Sequence, residues 1–378
     1  MGGPVVAIPH YSNPDVFPHI TRFASTLAAA GARPWAIGFG SASHTDHTTG
    51  AFFRKDLVSL PMEGGFLHFF AFFLKVFLVL WREHPAILQP IDTPALIPCL
   101  FHSLLRRIPL YYFTLEDTPS ISSFVGRPIR RRIWTLAERA GIGRARAVAV
   151  VADIDAEVYM KRYGIPRPRV VRNVPRLRPL KSDDELLLRR RFGWSREQNV
   201  LIYHGIIDRG RGIENAFPSL ARHEDWRLAI AGGGCREGEV MSEARRAGLE
   251  KQVGRVGRYR YEDLGLWLQD ADVGFMVFDN VSPGAYQALP CKLFECVHSC
   301  VPVVASDFPE MRSYITSTGV GLVVDPLDRE AIDEALVRLF TDSDLYASCK
   351  AACGEERKRT NWEAESSRYL SFLGLARQ

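Results

Sequence analysis

The sequence predicts an α/β chain of two domains, and three observations lead there. Short, mostly apolar runs of strand length recur at residues 4–8, 35–39, 86–89, 110–114 and 147–151, and again at 200–204, 226–231, 253–256, 273–278 and 301–305. They alternate with longer stretches of helical periodicity, the pattern of parallel sheets covered by helices. A chain of 378 residues is also more than one core usually fills. Finally, 47% hydrophobic and 24% charged residues are ordinary for a folded globular chain.

The net charge of +5 is mild. It does not suggest a nucleic-acid binder, but it suits anionic substrates and anionic membrane surfaces. The seven cysteines are scattered, odd in number and without a C-x-x-C pair. A disulfide framework or zinc site is therefore not expected, and a reducing cytoplasm fits. The N-terminus MGGPVVAIPHYSN has no basic region followed by a long apolar one, so no secretory signal is expected.

In the first half, strand 4–8 runs into a loop containing His10 and Asp15, then a helix over 20–30 closed by Gly31 and a strand at 35–39. In a doubly wound sheet, ligands sit beyond the carboxyl ends of the strands, which places His10 and Asp15 in such a mouth. A loop histidine is also often inert. There is no G-x-G-x-x-G after the first strand, so a dinucleotide site there is unsupported.

Residues 64–81, GGFLHFFAFFLKVFLVLW, stand out. The run nears membrane-spanning length but holds Lys75 and His68, and a charge at the bilayer centre costs on the order of 3 kcal/mol. Phe66, Phe69, Phe70, Phe72, Phe73 and Phe77 ring the helix, more than one core-facing side needs. Three readings stay open: a core helix, an interfacial helix with Lys75 snorkelling, or a span. Monotopic contact with the inner membrane face is the functional expectation, with a protein partner second.

Strand 86–89 ends in Pro90, Ile91 and Asp92 before a helix through 107. Strand 110–114 ends in Leu115, Glu116 and Asp117, carboxylates that can bind hydroxyls or simply cap the turn. Arg127 and Arg130–Arg132 open the next helix, as a solvated face or as a partner for anionic lipid. A helix over 153–163 closed by Gly164 and the segment 170–175 complete the half.

The second half opens with a helix at 183–192 and strand 200–204, which enters GIIDRGRGIENAF at 205–217. Gly205, Gly210 and Gly212 let backbone N–H groups approach an anion, and Arg209 and Arg211 offer fork geometry for phosphate. Gly232–Gly234 form a tight turn after 226–231, and Arg258 and Tyr259 follow 253–256. A helix at 262–269, an amphipathic helix at 329–340 and a helical tail over 345–375, anchored by Trp362 and Tyr369, are expected around them.

Residues 282–310, SPGAYQALPCKLFECVHSCVPVVASDFPE, read as a loop, a helix with Pro290 in its first turn, and a buried strand at 301–305 ended by Ser306, Asp307 and Pro309. The helix N-terminus attracts phosphate, Lys292 adds a point charge, and Glu295 can accept hydrogen bonds from a diol. On the helix–strand pattern alone, a capped helix with a solvated Lys–Glu face is the favoured reading.

PCKLFECVHSCVPVVASDFPE resembles the donor-site stretch of retaining GT-B glycosyltransferases of family 4, which often read P-x-K-L-F-E and later P-V-V-A-S-D-x-P-E. The resemblance implies two Rossmann-like domains facing across a cleft. It divides the chain at 1–178, 179–355 and a closing helix 356–378 that crosses back to the first domain. It implies transfer of a hexosyl unit from a nucleoside diphosphate sugar to a sugar or lipid-linked acceptor, with retention, without a metal or other cofactor and without nucleic acid. Arg209, Arg211, Lys292 and Glu116 are the implied catalytic residues. The donor would lie on Gly205, Gly210, Gly212, Arg258, Tyr259, Gly284, Tyr286, Leu293 and Glu295, and the acceptor on His10, Asp92 and Asp117. The family's first motif Glu is Gln287 here, its loop Arg is Ile206, and its acceptor-side His is Leu115. An epimerase of the same fold and a weakly catalytic binding subunit are the competing expectations.

Overall fold

The computed structural model describes residues 3–14, 17–39, 53–58, 65–182 and 187–376. Asp15, Gly64 and the start of the expected 183–192 helix lie outside them, as does the Phe66 side chain. The chain forms two compact units: residues 1–173 with 362–378, and residues 174–361. These divisions fall at 173 and 361, against the expected 178 and 355.

The first unit runs β1 (Val5–Pro9), α1 (Pro18–Ala29), β2 (Arg33–Phe39), β3 (Arg54–Val58), α2 (Gly65–Glu83), β4 (Ile87–Leu88), α3 (Asp92–Arg106), β5 (Tyr111–Phe113), α4 (Pro128–Arg144), β6 (Ala147–Val150), α5 (Asp153–Tyr163) and β7 (Arg169–Val170). Two parallel sheets, β3-β2-β1-β4 and β5-β6-β7, are joined by the parallel bridges Leu88–Leu110 and Ile91–Phe113. β1 is central, and Val6, Ala7 and Ile8 are wholly buried, as a strand covered on both faces must be.

The second unit runs α6 (Leu188–Phe192), β8 (Asn199–Ile206), α7 (Phe217–Arg222), β9 (Trp226–Gly233), α8 (Glu237–Arg246), β10 (Val253–Gly257), α9 (Leu264–Leu268), β11 (Val273–Met276), α10 (Pro283–Gln287), α11 (Cys291–His298), β12 (Val303–Ser306), α12 (Pro309–Thr318), β13 (Gly321–Val324), α13 (Arg329–Thr341) and α14 (Ser343–Arg359). Its parallel sheet has the order β10-β9-β8-β11-β12-β13. Asp328 and Asp342 cap α13 and α14 by accepting from the N–H of Ala331 and Leu345 at 3.0 and 2.9 Å. The strand order reverses direction between β8 and β11, the switch point where such sheets bind ligands. The α/β class and the two Rossmann-like domains expected from the sequence are the observed architecture.

Several local expectations are corrected. Ser282, Pro283 and Gly284 open the short helix α10, with Ser282 Oγ accepting from Ala285 N–H at 3.2 Å, rather than an open loop. Pro290 is the extended residue before α11, not part of its first turn. Pro309 starts a helix instead of ending the strand in a loop. The tail is two helices, α14 and α15 (Trp362–Phe372), broken where His298 Nε2 bonds the Thr360 carbonyl at 2.8 Å. α15 belongs to the first unit: Trp362 Nε1 donates to Thr26 Oγ1 at 2.8 Å, Tyr369 OH donates to Gln89 Oε1 at 2.6 Å, and Tyr369 stacks on Phe23.

Candidate functional site

In the second unit the expected residues gather at the carboxyl ends of β8 and β11. Lys292, in the first turn of α11, reaches back over β8. Its ammonium donates to Tyr203 OH at 2.8 Å and lies 4.3 Å from the Tyr203 ring centroid and 5.6 Å from that of Phe278. Tyr203 OH in turn donates to the Ile206 carbonyl at 2.5 Å, so the platform under Lys292 is fixed. The stem of Lys292 crosses Gly205, whose φ of +107° and missing Cβ leave the passage open. Burial first, then the charge of Arg211, holds the Lys292 ammonium well below the ordinary lysine range.

Arg211 is half-buried, its guanidinium 6.0 Å from the Phe278 ring, and its Nε has no hydrogen-bond partner among the described residues. A buried unpaired guanidinium N–H beside a second cation is an arrangement that an anion would relieve. Glu295, one turn after Lys292, lies 2.9 Å from His204 Nε2. His204 was not singled out from the sequence, although a histidine directly after the apolar run 200–203 is a usable signal, and the structure buries it. Burial, with the charge of Glu295 next, raises the Tyr259 phenol, which places Tyr259 in the same neighbourhood. A cavity of about 390 Å³ opens beside Glu295, lined also by Arg176, Tyr261, Leu264 and His298.

Arg209 and Arg258 are exposed, Arg258 passing over Gly233. Gly210 packs on Val281, and Gly212 sits against the Val277 carbonyl. Gly284 lies in α10, and Tyr286 is exposed with its ring 5.2 Å from that of Phe308. Gln287 Oε1, at the place of the absent carboxylate, is buried without a hydrogen-bond partner among the described residues. Leu293 needs correction as a ligand contact. Its side chain is wholly buried in the core and its N–H is given to the Pro290 carbonyl at 3.0 Å.

In the first unit, His10, Asp92 and Glu116 collect beyond the carboxyl ends of β1, β4 and β5. His10 Nε2 lies 3.8 Å from Asp92 Oδ2, and Asp92 Oδ1 accepts from the Leu115 and Glu116 N–H groups at 2.7 and 3.2 Å. Glu116 itself is exposed. Asp117 needs correction: its carboxylate is buried, paired with the Arg162 guanidinium and accepting from Ser120 Oγ, and is not open to a ligand. Beneath this mouth, Glu138 accepts from Tyr112, Tyr159, Thr93 and Tyr163, a buried cluster that fixes the floor.

Burial lowers His10 to a pKa of about 4. Burial first, then the Glu116 charge, pushes Asp92 from 3.8 to about 7. A raised carboxyl means that the native state holds more protons than the unfolded chain between those values, so this contribution to stability is lost as pH rises through about 7. Asn replaces Asp92 well, because its left-handed φ of 60° suits Asn and the side-chain oxygen still accepts. The melting temperature of Asp92→Asn relative to wild type is expected to rise from pH 4 to pH 7 and then level off. His10, lowered by burial, has the opposite slope and is present in both proteins. A difference that shrinks with pH across this window contradicts the assignment.

Among the described residues, no group of three or more His, Cys, Asp or Glu side chains is placed to hold a metal ion.

Residues 184–355 match the family described as Glycosyl transferases group 1. The alpha-D-kanosaminyltransferase of Streptomyces kanamyceticus is 26% identical over 222 residues, 55% of this chain and 55% of that protein. Sucrose-phosphate synthase 4 of Arabidopsis thaliana is 27% identical over 93 residues, 25% of this chain and 9% of that protein. The matched stretches thus span about half or less of these relatives' own lengths. Among solved structures, sucrose-phosphate synthase from Thermosynechococcus elongatus has a TM-score of 0.81 at 17% identity, covering 98% of each chain. HepE of Anabaena, solved with UDP-glucose, has a TM-score of 0.80 at 14% identity, covering 98% of this chain and 99% of its own. These structures share the fold described above.

Proposed function

We propose, on the premise that this chain belongs through its second unit to the group 1 glycosyltransferases, that it moves a hexosyl unit from a nucleoside diphosphate sugar to a sugar or lipid-linked acceptor with retention. One observation carries the reading: Lys292, Arg211 and Glu295 converge at the β8–β11 switch point around a floor that only glycine permits at position 205. Lys292 and Arg211 would take the diphosphate, whose negative charge grows as the sugar leaves. Glu295, oriented by His204, would accept from the ribose hydroxyls. Tyr259 and Arg258 would flank the base, and Tyr286 with Gly284 would border the sugar. Arg209, exposed on the same loop, would screen the phosphates from one side. In the first unit, His10, Asp92 and Glu116 would bind acceptor hydroxyls. The relation to a fold solved with UDP-glucose supports a nucleotide sugar as donor.

A thermal-shift screen over nucleoside diphosphates tests this, because a ligand that binds the native state raises its melting temperature. One base is expected to stand out. Arg211→Ala and Glu295→Ala should each weaken that nucleotide by roughly 1.5–3 kcal/mol, the worth of a charged hydrogen bond. Wild-type affinity in both variants would remove the donor-site assignment. Since Arg and Lys supply the neutralising charge, a chelator is expected to leave transfer unchanged. Loss with EDTA and recovery with magnesium or manganese would reverse that part. Nucleotide binding without transfer to any acceptor would favour a binding subunit, the reading that Ile206, exposed where the resemblance places an Arg, speaks for.

A further inference from the structure

The fold leaves one surface of the first unit apolar. α2 wholly buries Phe72, Val76 and Leu80 along one stripe, while Leu67, Phe70, Leu74 and Leu78 run exposed along another, Phe70 to 52%. The expected phenylalanine ring is therefore divided: Phe72 is core, Phe70 faces outward, and Phe69, Phe73 and Phe77 are half-buried between them. α3 packs beside α2 through the rings of Phe73 and Phe101, 5.6 Å apart, and adds Phe101, Leu104 and Leu105 to the exposed set. α4 adjoins α2 through Phe69 and Trp134, 5.1 Å apart, and adds Ile129, Ile133 and Leu136, with Ile129 exposed to 77%. Single exposed apolar side chains are ordinary, but stripes on three adjoining helices make a platform that needs a partner.

The charges around it say which partner. The three helices hold eight Arg and Lys residues against three acids. Of those acids, Glu138 is buried among tyrosines, Glu83 is paired with Arg54, and Asp92 belongs to the mouth described above. Arg130, Arg131 and Arg132 are exposed at the start of α4, and Arg106 stacks 3.8 Å over Trp81 where α2 and α3 end. A tryptophan beside arginine suits headgroup depth in a bilayer, where one end of the pair is apolar and the other wet. A second copy of the chain meeting this face across a two-fold axis would set the same arginines against each other. A negatively charged surface over an apolar interior satisfies both the stripes and their rim.

We infer that α2, α3 and α4 together seat the protein on an anionic lipid surface, the stripes entering the acyl boundary and the arginines meeting headgroup phosphates. This goes beyond the transfer reaction and concerns a different face of the first unit. None of the described helices is long and apolar enough to cross a membrane, so the contact is made from one side.

Flotation of the full-length protein with vesicles tests it, using equal parts phosphatidylglycerol and phosphatidylcholine against phosphatidylcholine alone. The wild type is expected to float with the anionic vesicles and at least about tenfold less with the neutral ones. Phe70→Ser with Leu74→Ser should reduce partitioning about tenfold or more, as removal of two inserted apolar groups implies, with an unchanged melting temperature because both are exposed. Arg130→Glu with Arg131→Glu should reduce it comparably, and salt should weaken binding only in part. The inference fails if the wild type does not float, or if both double variants float as it does. It also fails if light scattering shows a dimer that the serine pair converts to monomer while vesicle binding is unaffected, since the face would then be a protein interface.

Discussion

Lys292→Met is expected to lower turnover by about 10²–10³-fold, the usual cost of removing one group that stabilises developing negative charge. The same change is expected to raise the melting temperature. Methionine keeps the unbranched stem that crosses Gly205 and packs over Tyr203 and Phe278, but it removes an ammonium that burial and Arg211 disfavour. The sign follows from linkage. The Lys292 pKa is lowered on folding, so the native state binds fewer protons than the unfolded chain below the ordinary lysine value of 10.5. The stability advantage of the variant should therefore be largest at low pH and shrink as pH rises towards 10.5. Steady-state kinetics at saturating donor and melting curves across pH read both halves. Unchanged turnover ends the catalytic role, and a variant less stable than wild type at neutral pH means that the ammonium is a structural cation.

Gly232→Ala is expected to cost roughly 3 kcal/mol or more, which in a unit of this size shifts the melting temperature by roughly 6–12 °C. Position 232 has a φ of +141°, and a Cβ there would collide with the Gly205 carbonyl oxygen, which is backbone and cannot swing aside. β9 and β8 are in register with Gly232 opposite Gly205, so relieving the collision moves the very peptide that Lys292 crosses. Donor affinity should fall with stability in any folded fraction. Differential scanning calorimetry together with nucleotide titration checks this, and a melting temperature within a degree or two of wild type would show that the strand ends adjust freely.

How much of this could be read from the chain depends on where each signal lies. The central strands were legible because a parallel strand covered on both faces carries an apolar run, as Val6–Ile8 of β1, Val200–Ile202 of β8 and Val303–Ala305 of β12 do. β3 was not: Arg54, Lys55 and Asp56 carry no apolar run to mark a strand, which exists because its backbone pairs with β2 while Arg54 is held by Asp56 and Glu83. In the second unit, Lys292 and Glu295 were legible because they share one helix with local spacing. What holds each of them was not. Tyr203 lies 89 residues from Lys292, and His204 lies 91 from Glu295.

The same distinction separates Asp92 from Asp117. Both stand at strand ends in the sequence, yet Arg162, 45 residues on, claims Asp117, while Asp92 is held by backbone N–H groups and keeps an oxygen towards His10. The phenylalanine-rich run declared a surplus of apolar residues, because no single core-facing stripe needs so many. Which of them would be core, and that α3 and α4 would extend the exposed remainder into one platform, was decided by helix packing. The alternation of elements, the glycine-floored loop and the cationic helix start are written in the chain, since these depend on local backbone and residue chemistry. Which charges are satisfied and which apolar faces are left uncovered is a matter of packing, because both are set by neighbours far away in the chain.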